Sequence, residues 1–361
     1  MPETLIEVDV PPAYQVIVGP NLLARASRDL PSPGSSALLA DERVLGLYES
    51  ELGPLADLPR LALTGGESVK TFPKLERVLH FLAEARLDRR STLYTLGGGT
   101  VLDLGGLAAS LFKRGIHVVH LPTTLLAQVD ASVGGKTAIN LAAGKNLVGT
   151  FYQPKAVFAD TSTLATLTES DWRSGLGECV KTAMIGGESA FDRLEVLAAD
   201  LRQRDPRAVH EIVAACVRTK ATVVASDPHE SGPREVLNLG HTFAHGIEHA
   251  TDFEVPHGVA VALGLRLAVR TCDALGELSD ADLDARLTQL LEALDLPTEP
   301  GDLPALERLG AEGPQRIVDG MAHDKKGAVG APRLVLPRAL GKMEASVAVA
   351  PATLLDILRG S

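Results

Sequence analysis

Two kinds of apolar pattern divide the chain. Over the first 165 residues, short apolar runs recur: YQVIV (14–18), ALLAD (37–41), RLALT (60–64), TLYTLG (92–97), HVVHLP (117–122) and AVFAD (156–160). Such runs, bounded by turn residues, predict strands. Between them lie stretches with helical spacing, such as TFPKLERVLHFLAEARL (71–87), which suits a crossover helix. Strand, helix, strand in succession predicts a mainly parallel sheet covered on both faces. Beyond about residue 168 the strand pattern nearly stops. Residues 169–187, 206–226, 233–250 and 257–276 space their apolar side chains as helices do. RLVLP and ASVAVA near the end read as short strands, followed by a last helix over PATLLDILRG. Residues 274–297 read as a solvated helical hairpin. The expectation is α/β plus all-α: an α/β domain over 1–165 and a helical domain over 166–361, with the active site in the cleft between them.

Composition narrows the class. The 361 residues are 45% apolar and 22% charged, as in a soluble globular protein, and the formal charge is −11. That charge argues against nucleic acid as a partner. Cys179, Cys216 and Cys272 are odd in number and form no CxxC pair, which points to a reducing compartment. The start, MPETLIEVDV, lacks the basic and apolar regions of a signal peptide, and there is no run of 18 apolar residues. The expectation is a cytoplasmic protein with no membrane partner.

Several motifs carry chemistry. Gly97–Gly99 follow a strand and precede a helix, where a backbone without Cβ atoms can approach a diphosphate at a helix N-terminus. The same turn without a ligand is an equal reading. LTGGESVKT (63–71) is a second glycine turn at a strand end and adds Glu67 and Lys70; two such turns on one sheet favour a dinucleotide. VGGKT (133–137) fails as a phosphate-binding P-loop, because Asp130 stands where glycine is required. What remains there is Asp130, Lys136, Lys145 and Asn146 in a glycine-rich segment, pointing to an anion site. Glu178 and Lys181, three apart in GLGECVKTAMIGG, are either an exposed ion pair or part of a metal site; Cys179 reads as a core residue.

LNLGHTFAHGIEHATDFEVPHG (237–258) holds four of the ten histidines, and His241, His245 and His249 recur every four residues. That stripe, with His257 in a PHG start, points to a metal. Spacing alone favours His241 with His245 as ligands, although neighbours at this spacing can equally be a ligand and an acid–base partner.

The blocks RGIHVVHLPTTLLAQVDASVGGKTAINLAAGKNLVGTFYQP, GLGECVKTAMI, ESGPREVLNLGHTFAHGIEHA, VPHGVAVALG and MAHDKK, in this order, resemble 3-dehydroquinate synthase, a family of sugar-phosphate cyclases. The resemblance implies an N-terminal NAD-binding domain and a C-terminal metal- and substrate-binding domain. It implies Zn2+ or Co2+ on Glu178, His241 and His257, with His245 moved from ligand to proton handler, acting through Asn146 or a water. His249 is left as structural. NAD contacts would come from Asp41, Gly65, Gly66, Glu67, Lys70, Gly98, Gly99, Thr100, Val101, Leu102, Asp103, Thr123, Thr124, Lys136, Lys145 and Thr163–Leu164–Ala165–Thr166. Substrate contacts would come from Arg114, Asp130, Lys136, Lys145, Asn146, Lys181, Lys220, Arg234, Asn238, His245 and Lys325 or Lys326. Catalytic roles would fall to His245, Lys136, Lys181, Asn146 and Glu230. The implied substrate, 3-deoxy-D-arabino-heptulosonate 7-phosphate, is anionic at both ends, which would explain a gathering of Lys and Arg in an acidic protein. Its implied conversion to 3-dehydroquinate runs through transient oxidation, β-elimination of phosphate, re-reduction, ring opening and aldol closure. That places it in the shikimate pathway towards aromatic amino acids, and a homodimer is usual in the family. The alternatives are a cyclase acting on another sugar phosphate, a metal-dependent polyol dehydrogenase, and a non-enzymatic zinc-stabilised NAD sensor.

Overall fold

The computed structural model describes residues 2–30, 34–323 and 331–360. By internal contacts the chain forms two units: residues 1–167 with 209–229, and residues 168–208 with 230–361. The sequence division keeps 166–361 in one piece; the structure instead returns 209–229 to the first unit. Two side-chain contacts belong to that packing. Lys220 bonds the Asp130 carboxylate and backbone carbonyl at 2.7 and 2.5 Å, and His210 bonds the Thr4 hydroxyl at 3.0 Å.

The first unit runs β1 (Thr4–Val8), β2 (Tyr14–Gly19), α1 (Ala26–Asp29), β3 (Ser36–Asp41), α2 (Glu42–Tyr48), β4 (Arg60–Leu63), α3 (Phe72–Glu84), β5 (Thr92–Gly97), α4 (Gly99–Leu111), β6 (His117–Pro122), β7 (Lys136–Leu141), β8 (Gly144–Phe151) and β9 (Ala156–Asp160). Seven strands form one sheet in the order β1-β2-β9-β6-β5-β3-β4, with every pair parallel except β1 and β2. Side chains alternate across it. Leu39, Leu93 and Val118 enter one core with α3 and α4, while Leu38, Tyr94 and Val119 enter another with Tyr48 and Leu52. The six strand runs read from sequence are all in this sheet. β7 and β8 form a separate antiparallel hairpin that the apolar pattern missed, because polar and apolar residues are mixed along both strands and β8 is largely exposed.

α7 (Pro206–Ser226) begins in the second unit and runs into the first. The rest of the second unit is α5 (Glu169–Gly186), α6 (Glu188–Arg202), α8 (His241–Ala250), α9 (His257–Ala274), α10 (Leu283–Ala293), α11 (Pro304–Glu307), α12 (Gly313–His323), the hairpin β10 (Arg333–Ala339) and β11 (Lys342–Ala348), and α13 (Pro351–Arg359). The expected helical hairpin over 274–297 is a single helix, α10. Gly276 takes a left-handed φ of +70° that ends the preceding helix, and the Ser279 N–H bonds the Arg338 carbonyl of β10. Among the described residues, no helix is long and apolar enough to cross a membrane.

Candidate active site

The first unit carries the candidate cofactor residues at one edge. β2, β9, β6, β5, β3 and β4 are mutually parallel, so their carboxyl ends share that edge. Asp41 closes β3; Gly65, Gly66 and Glu67 follow β4; Gly98 to Asp103 follow β5; Thr123 and Thr124 follow β6; and Thr163 to Thr166 follow β9. From β3 the chain crosses outward to β4, whereas from β5 it crosses the other way, to β6. The crevice between β3 and β5 is therefore a topological switch point, where open parallel sheets take their ligands. Asp41 and Gly97 border it. A Cβ on Gly65 would sit 1.7 Å from the Asp41 carboxylate, so glycine there lets that carboxylate lie against the turn. Val101 and Leu102 turn buried side chains inward, and both return their N–H groups to the Gly98 carbonyl. Gly99 and Thr100 are left at the very start of the helix.

Lys70 ties this edge to the β7–β8 hairpin. Its Nζ meets Asp103 Oδ2 at 2.7 Å and the Asn146 side chain, while Asn140 bonds Glu67 at 2.7 Å and accepts the Asn146 N–H at 2.8 Å. Asn146 is held at a left-handed φ of 56°. Burial pushes the Asp103 carboxyl up to about 6, against the opposing pull of Lys70. Asp130 lies in a π-helical turn, Ala127–Ala131, and is brought to Lys220 across 90 residues. Lys136, Lys145 and Arg114 are exposed. Lys325 and Lys326 fall outside the described residues.

The second unit builds the candidate metal centre. Gly177 and Gly258 let α5 and α9 touch backbone to backbone: a Cβ on Gly177 would lie 1.8 Å from the Gly258 carbonyl oxygen, and one on Gly258 1.7 Å from that of Ser174. Glu178 and His257 adjoin these glycines. Gly240, at φ +76°, lets α8 start against Gly264 of α9, which carries His241 to the same place. There His241 Nε2 lies 3.7 Å and His257 Nε2 3.4 Å from Oε1 of the fully buried Glu178. Lys181, also buried, holds Glu178 Oε2 at 2.6 Å, so the pair is no surface ion pair. Each histidine is fixed through its other nitrogen. A carbonyl can only accept, so His241 Nδ1–H donates to Leu239 at 3.1 Å and leaves Nε2 as an electron-pair donor. His257 Nδ1 faces Glu248 Oε2 at 3.3 Å. Burial and the Lys181 charge push His241 down to about 3. Burial also opposes charge on His257, but hydrogen bonds to Glu178 and Glu248 prevail and hold it up at about 10.

Two imidazole nitrogens and a carboxylate oxygen, all within 4.8 Å of one another, are a fitting donor set for zinc or cobalt. His245 lies beside this set; its ring is edge-on to His241 at 5.7 Å and stacked on His257 at 6.1 Å. Arg234 is fully buried in a 3-10 turn (Pro233–Asn238), and Asn238 donates to Glu230 at 3.4 Å. Glu230, like Asn146, has a left-handed backbone, φ 55°. His249 is exposed against Phe253. Glu248 and Asn140 are the residues that sequence reasoning missed. The signal for Glu248 was its place one helical turn after His245.

Family models for the 3-dehydroquinate synthase N-terminal and C-terminal regions match residues 60–174 and 175–327. The chain belongs to the 3-dehydroquinate synthase family. Curated 3-dehydroquinate synthases are similar over most of its length: that of Halorhodospira halophila is 44% identical, covering 89% of this chain and 88% of its own, and that of Paracoccus denitrificans 40% identical, covering 97% and 96%. Among solved structures, 2-epi-5-epi-valiolone synthase from Streptomyces hygroscopicus, with NAD+ and Zn2+ bound, superposes with a TM-score of 0.82 at 27% identity over 96% of both chains. A 2-deoxy-scyllo-inosose synthase, complexed with carbaglucose-6-phosphate, NAD+ and Co2+, superposes with a TM-score of 0.84 at 24% identity, over 99% of this chain and 100% of its own; it speaks to the fold alone.

Proposed function

We propose that the chain converts 3-deoxy-D-arabino-heptulosonate 7-phosphate to 3-dehydroquinate and phosphate, with NAD and a divalent ion as resident cofactors. The observation that carries this reading is the convergence of His241 Nε2 and His257 Nε2 on the buried Glu178, inside a chain of this family. Zinc or cobalt held by Glu178, His241 and His257 would supply Lewis-acid polarisation of a substrate oxygen. NAD at the carboxyl edge of the sheet would supply a hydride acceptor that is restored by the end of each cycle.

The chain's own residues do the rest. Lys181 places a cation beside the carboxylate of Glu178, balancing a buried negative charge, and is a proposed contact of the anionic substrate. His245 is the proposed proton handler at the substrate oxygen nearest the centre; the stacking of its ring on His257 supports this reading. The proposed substrate contacts remain Arg114, Asp130, Lys136, Lys145, Asn146, Lys181, Lys220, Arg234 and Asn238. Glu230 adds a carboxylate that holds Asn238. The proposed cofactor contacts are the strand-end residues from Asp41 to Thr166 described above, with Lys70 joining them to Asn146.

The test is catalytic use of NAD. Protein, Zn2+, the heptulosonate phosphate and substoichiometric NAD should release many phosphates per NAD. Accumulation of one NADH per NAD would mark a dehydrogenase, and no phosphate at all would sink the proposal. Equal turnover of a sugar phosphate lacking the carboxylate would favour another cyclase.

A further inference from the structure

We propose that Glu248 is a positioning residue for the metal centre: it fixes His257 in the tautomer and ring orientation that present Nε2 to the ion. The proposal rests on the reading of Glu178, His241 and His257 as the metal's holders, and goes beyond it by naming what holds one of the holders.

The geometry is on two helices. Glu248 is buried on α8, and its Oε2 is 3.3 Å from Nδ1 of His257 at the start of α9. A carboxylate accepts, so Nδ1–H donates to Glu248; Nε2 faces Glu178 Oε1 at 3.4 Å, where a bound ion would take the place of the proton on Nε2. His241 is set the same way by a backbone carbonyl. The two supports differ in charge. A carboxylate behind an imidazole makes the facing nitrogen a stronger donor, which a neutral carbonyl does less well. The approach of α8 to α9 that permits this contact depends on Gly240 and Gly264, where a Cβ on Gly264 would lie 2.3 Å from the Gly240 carbonyl oxygen.

Glu248 could instead be a ligand, since one of its oxygens, a His245 nitrogen and a His257 nitrogen also lie within 4.8 Å of one another. Ring chemistry decides between the two arrangements. Nδ1 and Nε2 point from different edges of the imidazole, so an ion at Nε2 with Glu178 and His241 is not the ion that Glu248 could reach at Nδ1. The Nε2 side holds two histidines and a fully buried carboxylate; the Nδ1 side repeats the hydrogen bond already present at His241.

Metal affinity tests this without reference to turnover. Chelator-stripped wild-type protein, Glu248→Ala, Glu248→Gln and Glu178→Ala would be titrated with Zn2+ against a chromophoric chelator, and with Co2+ by its visible spectrum. Folding is checked by circular dichroism of the metal-free forms. Glu248→Ala should bind 10- to 100-fold more weakly, about the loss typical for such partners. Glu248→Gln, which is isosteric and keeps an accepting oxygen, should lose less, and its Co2+ spectrum should keep the wild-type band pattern. Wild-type affinity and spectrum in both Glu248 variants would overturn the proposal. So would a loss as complete as that of Glu178→Ala, which would make Glu248 a ligand. Wild-type protein that takes up no metal would overturn the assignment of the centre, and the role of Glu248 with it.

Discussion

His245 and His257 stand close together yet are asked for different work, and that difference is measurable. His257→Ala should lose metal together with activity, because Nε2 is removed from the donor set. His245→Ala should keep metal and lose rate by about 10²- to 10⁴-fold, the usual range for a proton-transfer group. Metal content by atomic emission beside phosphate release separates the two; equal metal loss in both would refute the division of roles. Spacing alone nominated His241 with His245, and only the family resemblance moved the ligand to His257. His257 Nε2 reaches Glu178 Oε1 from a different helix, and periodicity along one helix cannot report such a neighbour. Asp103 gives a second prediction at this scale. Its carboxyl, held up to about 6, keeps its proton in the folded chain over a pH range where the unfolded chain has lost it. Its contribution to stability is therefore fully present below the ordinary carboxyl value and is lost as pH rises through 6. Between pH 5 and 7, urea melts of Asp103→Asn should gain about 1 kcal/mol relative to wild type; a gap that stays constant with pH would contradict the shift.

The pairing of α5 with α9 turns on two glycines whose hydrogens are the contact. Gly258→Ala would drive a methyl into the Ser174 carbonyl, and the helices could make room only by separating. A loss of about 3 kcal/mol is expected, at the upper end of overpacking effects, and should appear as a melting temperature lower by several degrees. Gly301→Ala, with open space around its added carbon, should melt as wild type does. Zinc affinity should fall in Gly258→Ala as well, since Glu178 and His257 sit beside the contact. Elements differed in how far the sequence revealed them. β3, β5, β6 and β9 are buried on both faces and write themselves as apolar runs. The β7–β8 hairpin buries only Thr137 and Ile139 outright and leaves β8 largely exposed, so its apolar residues form no continuous run to read.

At the scale of the molecule, metal and stability are linked. Glu178, His241 and His257 come from three helices of the second unit, and an ion that binds only when all three are assembled stabilises the folded chain by mass action. Zinc at a hundredfold excess over its dissociation constant should add about 2.7 kcal/mol. Scanning calorimetry of stripped and loaded protein would show this as an upward shift, and identical traces would count against a folded-state site. How residues 209–229 are assigned lay outside the reach of sequence, because their contacts, such as Lys220 with Asp130 and His210 with Thr4, join positions far apart in the chain. That return also sets an order of events during synthesis. At roughly 5–20 residues per second, the ribosome needs roughly 3–12 seconds to pass from residue 167 to residue 229. For that interval Asp130 waits, and the nascent first unit must stay soluble without the helix that completes it, while the start of the second is already emerging.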